Sequence, residues 1–407
     1  MISVQQAIAQ IRTSIPTLPE VTIPIQAALG RVLAEQISAS QDLPSLDNSG
    51  MDGIAVVAAD TQNASPDHPV TLPLVGSIPA GTYPETELQP GQAVQIMTGA
   101  ALPPGADAVI PVEQTNLDYS QPVSEKEVRI FTPARPGDHI REKGGYYRKG
   151  DVLVPAGQVI RPQDVAMFAT VGKAQVKVIR QPRVGMLSTG DELTPPGQPL
   201  EPGKIWDSNT YMLAALLERS GASVHRTGII PDERGQIIGA LNSLADIPVD
   251  LLLTSGGVSM GAYDLVRQVM ESEGTLDLWK VNMRPGKPLA FGTYRQIPFI
   301  GLPGNPVSAF VGYQIFVQEG LRQMQGLPPT EAETIQAALA SPVHSDGRES
   351  YIPASLFKQD GKWVAQPDKN PSSGNLYALI PGNSLIIVPV GVKFLNINDV
   401  VKVRLLD

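Results

Sequence analysis

Three short polar segments that contain glycine stand where apolar runs end. Ser188–Glu192 follows VGML, Ser255–Ser259 follows LLLT, and Pro303–Pro306 follows FIGL. Glycine lets backbone N–H groups converge on an anion, and a helix N-terminus adds partial positive charge. One such turn can need glycine for geometry alone, but three on one rim favour a phosphorylated ligand. The candidate ligand-binding residues are Ser188, Thr189, Gly190, Ser255, Gly256, Gly257, Pro303, Gly304, Asn305 and Pro306.

Acidic side chains follow the same runs. Asp191 and Glu192 follow the first, Asp232 follows VHRTGIIP, and Asp264 lies just after the second glycine-rich segment. Carboxylates beside bound phosphates often hold Mg²⁺, which prefers oxygen ligands and would neutralise a pyrophosphate. The pattern therefore predicts Glu192, Asp232 and Asp264 as metal ligands. Capping of helices or turns by Asp191 and Asp232 is an open alternative.

Three cations lie in the segment WKVNMRPGKPLAFG, as Lys280, Arg284 and Lys287. Arg284 and Lys287 flank a Pro-Gly turn, so both can point at one place. A guanidinium fork and an ammonium point charge together suit a small tetrahedral dianion. An exposed turn with solvated cations is the alternative, but its position between two predicted strands favours a site, which we expect beside Ser308.

A second group of polar residues lies near the N-terminus. Asp52 belongs to SLDNSGMDGIAV, and Thr98 belongs to IMTGAALPPGADAVIPVE. Acid-rich turns are usually Asx-turns. The residue types alone therefore favour a structural role for both.

Composition excludes several classes of function. The 407 residues contain no cysteine and four histidines, which excludes thiolate metal sites and disfavours a zinc enzyme. A net charge of -9 argues against general nucleic-acid binding but not against a local basic pocket. No apolar run of about 18 residues occurs, so we expect no membrane association. The first residues do not read as a signal peptide, which predicts a cytoplasmic protein.

The N-terminal half predicts mixed structure. Val4, Ala7, Ile8 and Ile11 recur at helical spacing, and residues 27–39 continue in the same style, which predicts a second helix. Short apolar runs separated by Pro, Gly and Asp predict a β-rich region over 47–138. A strand, a turn and a helix starting near Pro162 follow.

The C-terminal half predicts an α/β region and then a β region. Strand-like and helical runs alternate over 181–326, which predicts a mostly parallel sheet. Residues 209–219 form an amphipathic helix after the cap signal Asp207-Ser208. From 327 onward short strands predict an all-β domain, whose final run could equally be an edge strand packed on a neighbour. Neither G-x-x-x-x-G-K-[ST] nor G-x-G-x-x-G occurs, which disfavours P-loop nucleotidases and dinucleotide-binding dehydrogenases.

Seven motifs occur in order along essentially the whole chain, and together they resemble the molybdopterin molybdenumtransferase family, which includes the E-domains of plant cofactor-synthesis proteins and of gephyrin. The motifs are D-N-S-x-M-D-G-x-A at 47–55, I-M-T-G-A at 96–100, P-x-G-A-D-A-V-x-x-x-E at 103–113, S-T-G-D-E-L at 188–193, S-G-G-V-S-x-G at 255–261, P-G-K-P at 285–288 and G-L-P-G-N-P-V-S at 301–308. Each motif alone would be unspecific, but seven in order are highly specific.

The resemblance implies a multidomain α/β plus β protein. Its parts would be a linking mixed α/β domain (1–46 and 139–180), a small β-rich domain (47–138), a central α/β domain of molybdopterin-binding type (181–326) and a C-terminal β-barrel-like domain (327–407). It also implies an elongated homodimer, whose cleft combines the α/β domain of one subunit with the small β-rich domain of the other.

The resemblance further implies a reaction. Molybdate is inserted into adenylylated molybdopterin, the pyrophosphate is cleaved with Mg²⁺, and molybdenum cofactor and AMP are released. The substrate would come from the enzyme that adenylylates molybdopterin. Two sets of residues match the motifs. The catalytic positions are Asp52, Thr98, Glu192, Asp232, Asp264, Lys280 and Arg284, and the oxyanion positions are Arg284, Lys287, Ser308, Arg348 and Ser373.

The chain departs from the family pattern at three places. Arg284 stands where lysine is common, which keeps the charge but changes the geometry. Gly145-Tyr146 replaces an acidic pair, and Tyr377-Ala378 replaces a serine pair.

Rival functions remain open at the level of sequence. A molybdopterin adenylyltransferase resembles 181–326 but would not need the preceding 180 residues. A hydrolase of nucleotide pyrophosphates is a weaker rival. A scaffold protein would not need the acids and cations of the predicted cleft.

Overall fold

The computed structural model describes residues 1–118, 125–257, 265–330, 334–370 and 372–406. The chain divides into two compact units. The larger consists of Met1–Glu35, Gly157–Pro162 and Gln175–Asp407, and the smaller of Gln36–Ala156 and Gln163–Ala174. This division is coarser than the four predicted domains, whose boundaries stay a prediction. Within the described ranges no helix is long and apolar enough to cross a membrane.

The α-helices include most of the segments whose apolar residues recur at helical spacing in the sequence. A capping box at Ser3 and Gln6 starts the first helix. The α-helices are α1 Val4–Ser14, α2 Pro162–Thr170, α3 Asn209–Arg219, α4 Arg234–Ala245, α5 Leu265–Glu273, α6 Pro306–Gly312 and α7 Gln318–Met324. A π-helical turn, Tyr313–Val317, joins α6 to α7. The helices predicted at Val4, Pro162 and Asn209 are thus confirmed.

The strands of the described chain range from two to eleven residues in length. The first eleven are β1 Glu20–Pro24, β2 Ile37–Ser38, β3 Asn48–Ser49, β4 Gly53–Val56, β5 Val70–Ile78, β6 Ala93–Ile96, β7 Ala108–Pro111, β8 Glu127–Ile130, β9 Ile140–Arg141, β10 Val152–Val154 and β11 Gln175–Ile179. The others are β12 Arg183–Thr189, β13 Leu193–Thr194, β14 Ile205–Trp206, β15 Ser223–Ile230, β16 Leu251–Ser255, β17 Thr275–Lys280, β18 Met283–Arg284, β19 Pro288–Tyr294, β20 Ile297–Leu302, β21 Thr334–Leu339, β22 Val343–His344, β23 Glu349–Gln359, β24 Lys362–Pro367, β25 Ser384–Val388, β26 Phe394–Leu395 and β27 Val400–Leu405.

A six-stranded sheet in the larger unit, in the order β15-β12-β16-β20-β19-β17, carries the predicted turns. The first four strands are parallel, and β19 and β17 are antiparallel, so the mostly parallel sheet is confirmed with an antiparallel side. Ser188 is paired with Ser255, and Ser255 is paired with Leu302. Because these strands are parallel and in register, the three polar segments leave the sheet side by side.

The segment 27–39 is not a helix, so that prediction was wrong. Its local structure is a 3₁₀ turn at Ile25–Ala27, followed by a residue with positive φ, Gly30. Beyond that turn, Val32 and Leu33 form bridges with Val159 and Val178. Both side chains are buried. Pairing with distant strands satisfies the backbone of this segment, and the apolar spacing alone could not show that alternative.

The last part of the larger unit is a closed barrel. Strands β23, β24, β21, β27 and β25 pair in that order, and β25 returns to pair with β23. The final strand therefore has a partner on both sides, and the edge-strand alternative is wrong. The predicted all-β region is confirmed. Strand β18 pairs with the start of β23, which brings Arg284 opposite Ser350.

The smaller unit is built on a five-stranded sheet in the order β7-β4-β6-β5-β8. Ile54, Ile96 and Ile110 form part of its buried core. The start of β4 approaches β7 so closely that a Cβ on Gly53 would lie 2.1 Å from the Ile110 oxygen. Only glycine allows this approach, which fixes the position of Asp52 before it.

Tyr313 lies in the π-helical turn between α6 and α7 and connects this helical segment to α3. Its hydroxyl donates to the Leu216 oxygen at 2.6 Å and lies 2.7 Å from Ser220 Oγ. We expect Tyr313→Phe to lower the free energy of unfolding by about 1–3 kcal/mol, because buried acceptors lose their donor. Urea unfolding measures the change, with the exposed Tyr377→Phe as the control. Equal stability of both variants would contradict the assignment.

Candidate functional site

The three polar segments line one cavity of about 1090 Å³ in the larger unit. The sequence-predicted residues that line it are Ser188, Thr189, Gly190, Glu192, Asp232, Ser255, Gly256, Gly257, Arg284, Lys287, Pro303, Gly304, Asn305, Pro306, Ser308, Arg348 and Ser373. They come from the sheet, from the Pro-Gly turn and from the barrel. The fold therefore brings together residues that lie up to 185 positions apart in the chain, from Ser188 to Ser373.

The backbone conformation at the second polar segment requires glycine, and two N–H groups of the first two segments bond within the protein. Gly256 has φ +93° and Gly257 has φ +65°, and a Cβ on Gly256 would lie 2.7 Å from the Thr189 oxygen. The N–H of Gly256 donates to the Leu302 oxygen at 3.0 Å, and that of Gly190 to the Ile230 oxygen at 3.4 Å. These two N–H groups therefore already have partners in the protein, and the role of Gly190, Gly256 and Gly257 in ligand binding stays a prediction.

Three buried side-chain oxygens, which belong to residues that line the cavity, lack a hydrogen-bond partner among the described residues. Ser188 Oγ, Thr189 Oγ1 and Asn209 Oδ1 are buried, and none has a hydrogen-bond partner within the described part of the chain. All three residues line the cavity. A buried polar atom without a partner costs about 1–3 kcal/mol. The wall of the cavity thus contains buried polar atoms for which the described part of the chain supplies no partner.

Asn209 is a residue that the sequence reasoning missed. Its Nδ2 donates to Ser255 Oγ at 2.9 Å and to the Gly304 oxygen at 2.7 Å, so it ties the second and third segments to the start of α3. Asp207 caps this helix by accepting from the Thr210 N–H at 3.0 Å, whereas the side chain of Ser208 makes no cap bond. The cap signal pointed to this place, but not to Asn209 itself.

The acids divide between structural bonds and the cavity. The Asp191 carboxylate accepts from the Asp232 N–H at 3.1 Å, and the Asp232 carboxylate accepts from the Asp191 N–H at 3.4 Å. The two loops are thus bonded to each other through these carboxylates, and because Asp232 also lines the cavity, its role as a metal ligand stays a prediction. Glu192 folds its carboxylate over Gly190, where a Cβ would lie 2.6 Å from Oε2. Asp264 lies outside the described residues.

The cations gather around one acid at the barrel side of the cavity. Arg348 donates from Nε to Asp346 at 3.0 Å and from Nη1 to the Met283 oxygen at 3.0 Å, and Arg284 Nη1 lies 4.0 Å from Asp346. The hydrogen bonds from Arg348 hold the pKa of Asp346 below its usual value. Two cations, Arg284 and Arg348, and one carboxylate leave this group with a net positive charge, in a chain whose net charge is negative.

The Pro-Gly turn lies against Ser308. Gly286 has φ +90°, and a Cβ there would be 3.6 Å from the Ser308 oxygen. Arg284, Lys287 and Ser308 accordingly line the same cavity. Lys280, at the end of β17 opposite Pro288, is not among the lining residues, and its functional role stays a prediction.

Asp52 and Thr98 lie together in the smaller unit. The Thr98 N–H donates to Asp52 Oδ1 at 2.6 Å, and both residues are exposed. This N–H and the Thr98 hydroxyl lower the pKa of Asp52. Asp52 is therefore a fixed anion on the surface of this unit, and its role beyond that stays a prediction.

Three family models match successive parts of the chain. Residues 2–172 match the family described as MoeA N-terminal region (domain I and II). Residues 185–323 match a probable molybdopterin binding domain, and residues 336–406 match the MoeA C-terminal region (domain IV). The three matches follow one another in the order of the regions themselves.

Curated relatives and solved structures agree with these matches. A molybdopterin molybdenumtransferase of Nostoc is 40% identical over 381 residues, which cover 92% of this chain and 86% of that protein. One of Bacillus subtilis is 35% identical over 91% of this chain and 86% of that protein. The crystal structure of a molybdopterin biosynthesis MoeA protein from Pyrococcus horikoshii is 31% identical, with a TM-score of 0.84 over 100% of this chain and 99% of that chain.

The Asp52–Thr98 contact predicts a pH dependence. A carboxyl whose pKa is lower in the folded state stabilises that state above its unfolded pKa of about 3.9, and this contribution disappears as the pH falls through the folded pKa. Thr98→Ala removes the hydroxyl but keeps the N–H, so the pKa of Asp52 should rise part of the way to its unfolded value. ¹³C NMR titration of Asp52 measures it, with Thr71→Ala as the control. An unchanged titration would contradict the contact.

Proposed function

The chain belongs to the molybdopterin molybdenumtransferase family, and we propose that it transfers molybdenum from molybdate to adenylylated molybdopterin, with release of molybdenum cofactor and AMP. The observation that carries the proposal is the cavity itself. Its wall includes the cations Arg284, Lys287 and Arg348 as well as residues whose buried hydroxyls have no partner in the described chain. A metal oxyanion and a phosphorylated organic substrate would need these two kinds of surface next to each other.

The cationic end suits the oxyanion. Arg284 offers a planar fork and Lys287 a compact charge, and both line the cavity together with Ser308. Asp346 holds Arg348 in place and offsets one of the three positive charges. The remaining charge matches a dianion such as molybdate or tungstate. Ser373 closes this end, since its oxygen accepts from the Val307 N–H at 3.0 Å and its Oγ from Asn305 Nδ2 at 3.1 Å.

The hydroxyl wall suits the phosphates of the substrate. Ser188 and Thr189 end β12, and Asn209 holds Ser255 and Gly304 beside them. Oxygen and hydroxyl groups of this kind orient a phosphate without fixing a charge next to it. In the proposed reaction water cleaves the bond between the two phosphates, which leaves a phosphate monoester on the pterin product and releases AMP.

Magnesium fits the acids of the cavity. Mg²⁺ typically needs only one or two protein carboxylates, with the remaining positions taken by phosphate oxygens and water. Glu192 and Asp232 line the cavity and would hold the ion, together with Asp264, which lies outside the described residues. Within the described residues no group of three or more acidic or histidine side chains lies together as a metal site. The bound ion would offset the negative charge of the pyrophosphate.

The rival functions account for less of the chain. An adenylyltransferase or a pyrophosphate hydrolase would leave the regions before Gln181 and the barrel cations unused. A pure scaffold would not need unpaired hydroxyls beside a cationic cavity. A cytoplasmic location and the enzyme that supplies the substrate stay predictions.

Lys287 provides the direct test of the oxyanion end. We expect Lys287→Ala to weaken molybdate binding by at least about tenfold, because a charge-assisted bond of 1.5–3 kcal/mol is lost. Binding of AMP should change little, since the hydroxyl wall stays intact. Calorimetric titration with molybdate and with AMP measures both, and Lys362→Ala on β24 is the matched control. Molybdate binding equal to that of the parent would refute the role of Lys287.

We also propose a two-fold dimer in which Asp52 of one subunit faces Asp264 of the other. The reason is that the proposed reaction uses acids from both compact units. Sedimentation at micromolar concentration should show a dimer, and Asp52→Asn should lower turnover without weakening the dimer. A stable monomer with full molybdenumtransferase activity would contradict this arrangement.

A further inference from the structure

Two large apolar side chains stand exposed at the cavity. Ile205 is 56% exposed and Trp206 is 52% exposed, although both line the cavity. They form β14, which pairs in parallel with β13. Neither the oxyanion nor the phosphates of the proposed substrate would favour such a surface. Exposed apolar groups beside a polar cavity indicate a contact with an apolar part of a ligand.

The indole of Trp206 is held firmly in place. Its Nε1–H donates to the Gln198 oxygen at 3.1 Å, which satisfies the only polar group of the ring. On either side of β14, the Ile205 N–H donates to the Glu192 oxygen at 2.8 Å and the Asp207 N–H to the Thr194 oxygen at 2.9 Å. Trp206 is thus fixed between the acid Glu192 and the residue that caps α3. A ring held in this way loses little freedom when a ligand binds.

The other aromatic rings that line the described cavity are already engaged. Tyr351 is 4% exposed, and its hydroxyl donates to Glu349 at 2.5 Å. The ring of His344 lies 4.7 Å from that of Phe394. Trp206 therefore offers the largest open aromatic face of the cavity wall within the described chain.

We propose that Trp206, supported by Ile205, binds a flat heteroaromatic ring of the ligand, either a purine or a pterin. Stacking on an aromatic side chain contributes about 1–3 kcal/mol per base, and it needs an open face of this kind. The inference rests on the proposed function only for the choice of these two ring systems. Trp206 acts as a positioning residue: it holds the ring so that the phosphates reach the hydroxyls of Ser188 and Thr189.

The test compares ligands with and without the ring. Calorimetric titration of the parent, Trp206→Leu and Trp206→Phe uses AMP, ribose 5-phosphate and a simple pterin as probes. We expect Trp206→Leu to weaken binding of AMP, of the pterin or of both by about 5- to 150-fold, and Trp206→Phe to restore most of it. Ribose 5-phosphate should bind all three proteins equally. Trp363→Leu on the barrel, which removes an exposed indole outside the cavity, is the matched control.

The outcomes identify which ring Trp206 binds. They also distinguish failure of this inference from failure of the proposed function. A loss confined to AMP assigns the subsite to the purine, and a loss confined to the pterin assigns it to the pterin. The inference is overturned if neither probe is affected, if neither binds the parent, or if ribose 5-phosphate loses as much affinity as AMP. A parent that binds AMP through Trp206 but transfers no molybdenum to adenylylated molybdopterin would refute the proposed function and leave this inference standing.

Discussion

Parallel pairing of β12, β16 and β20 is the constraint on which the cavity depends. Each strand ends in a polar segment, and the register that pairs Ser188 with Ser255 and Ser255 with Leu302 brings these ends to one edge. A shift of register would separate the hydroxyls that face the cavity. The side chains of the three strands are buried on both faces of the sheet, so a shift would disrupt their packing. Asn209 then cross-links two of the ends through its amide.

The second contribution to the site comes from the barrel. The short pairing of β18 with β23 carries the Pro-Gly turn to the barrel and places Arg284 near Arg348. Asp346 lies between the two guanidinium groups and prevents them from repelling each other. The cationic end is thus assembled from two parts of the fold that are distant in sequence. This explains how an acidic protein can present a local surface that attracts an anion.

The cavity therefore has three kinds of surface within reach of one ligand. Cations lie at the barrel side, hydroxyls at the strand ends, and an indole beside the acid Glu192. In the proposed function, each surface would bind a different part of adenylylated molybdopterin or the oxyanion. The acid Asp52 in the smaller unit adds a further charged group, which the proposed dimer would bring to the same reaction.

The sequence by itself determined the family, several helices and strands, and many of the residues that line the cavity, because those features depend on local composition, motifs and spacing. The tertiary structure decided the fold of residues 27–39, the partners of two glycine N–H groups and the roles of Asn209 and Trp206, because these features depend on contacts between residues distant in sequence. Residues 27–39 have helical spacing, but strands far along the chain pair with Val32 and Leu33. The N–H groups of Gly190 and Gly256 were expected to bind an anion, yet neighbouring strand ends take them as donors. Asn209 and Trp206 carry no distinctive motif, and only the positions of their hydrogen-bond partners show what they do.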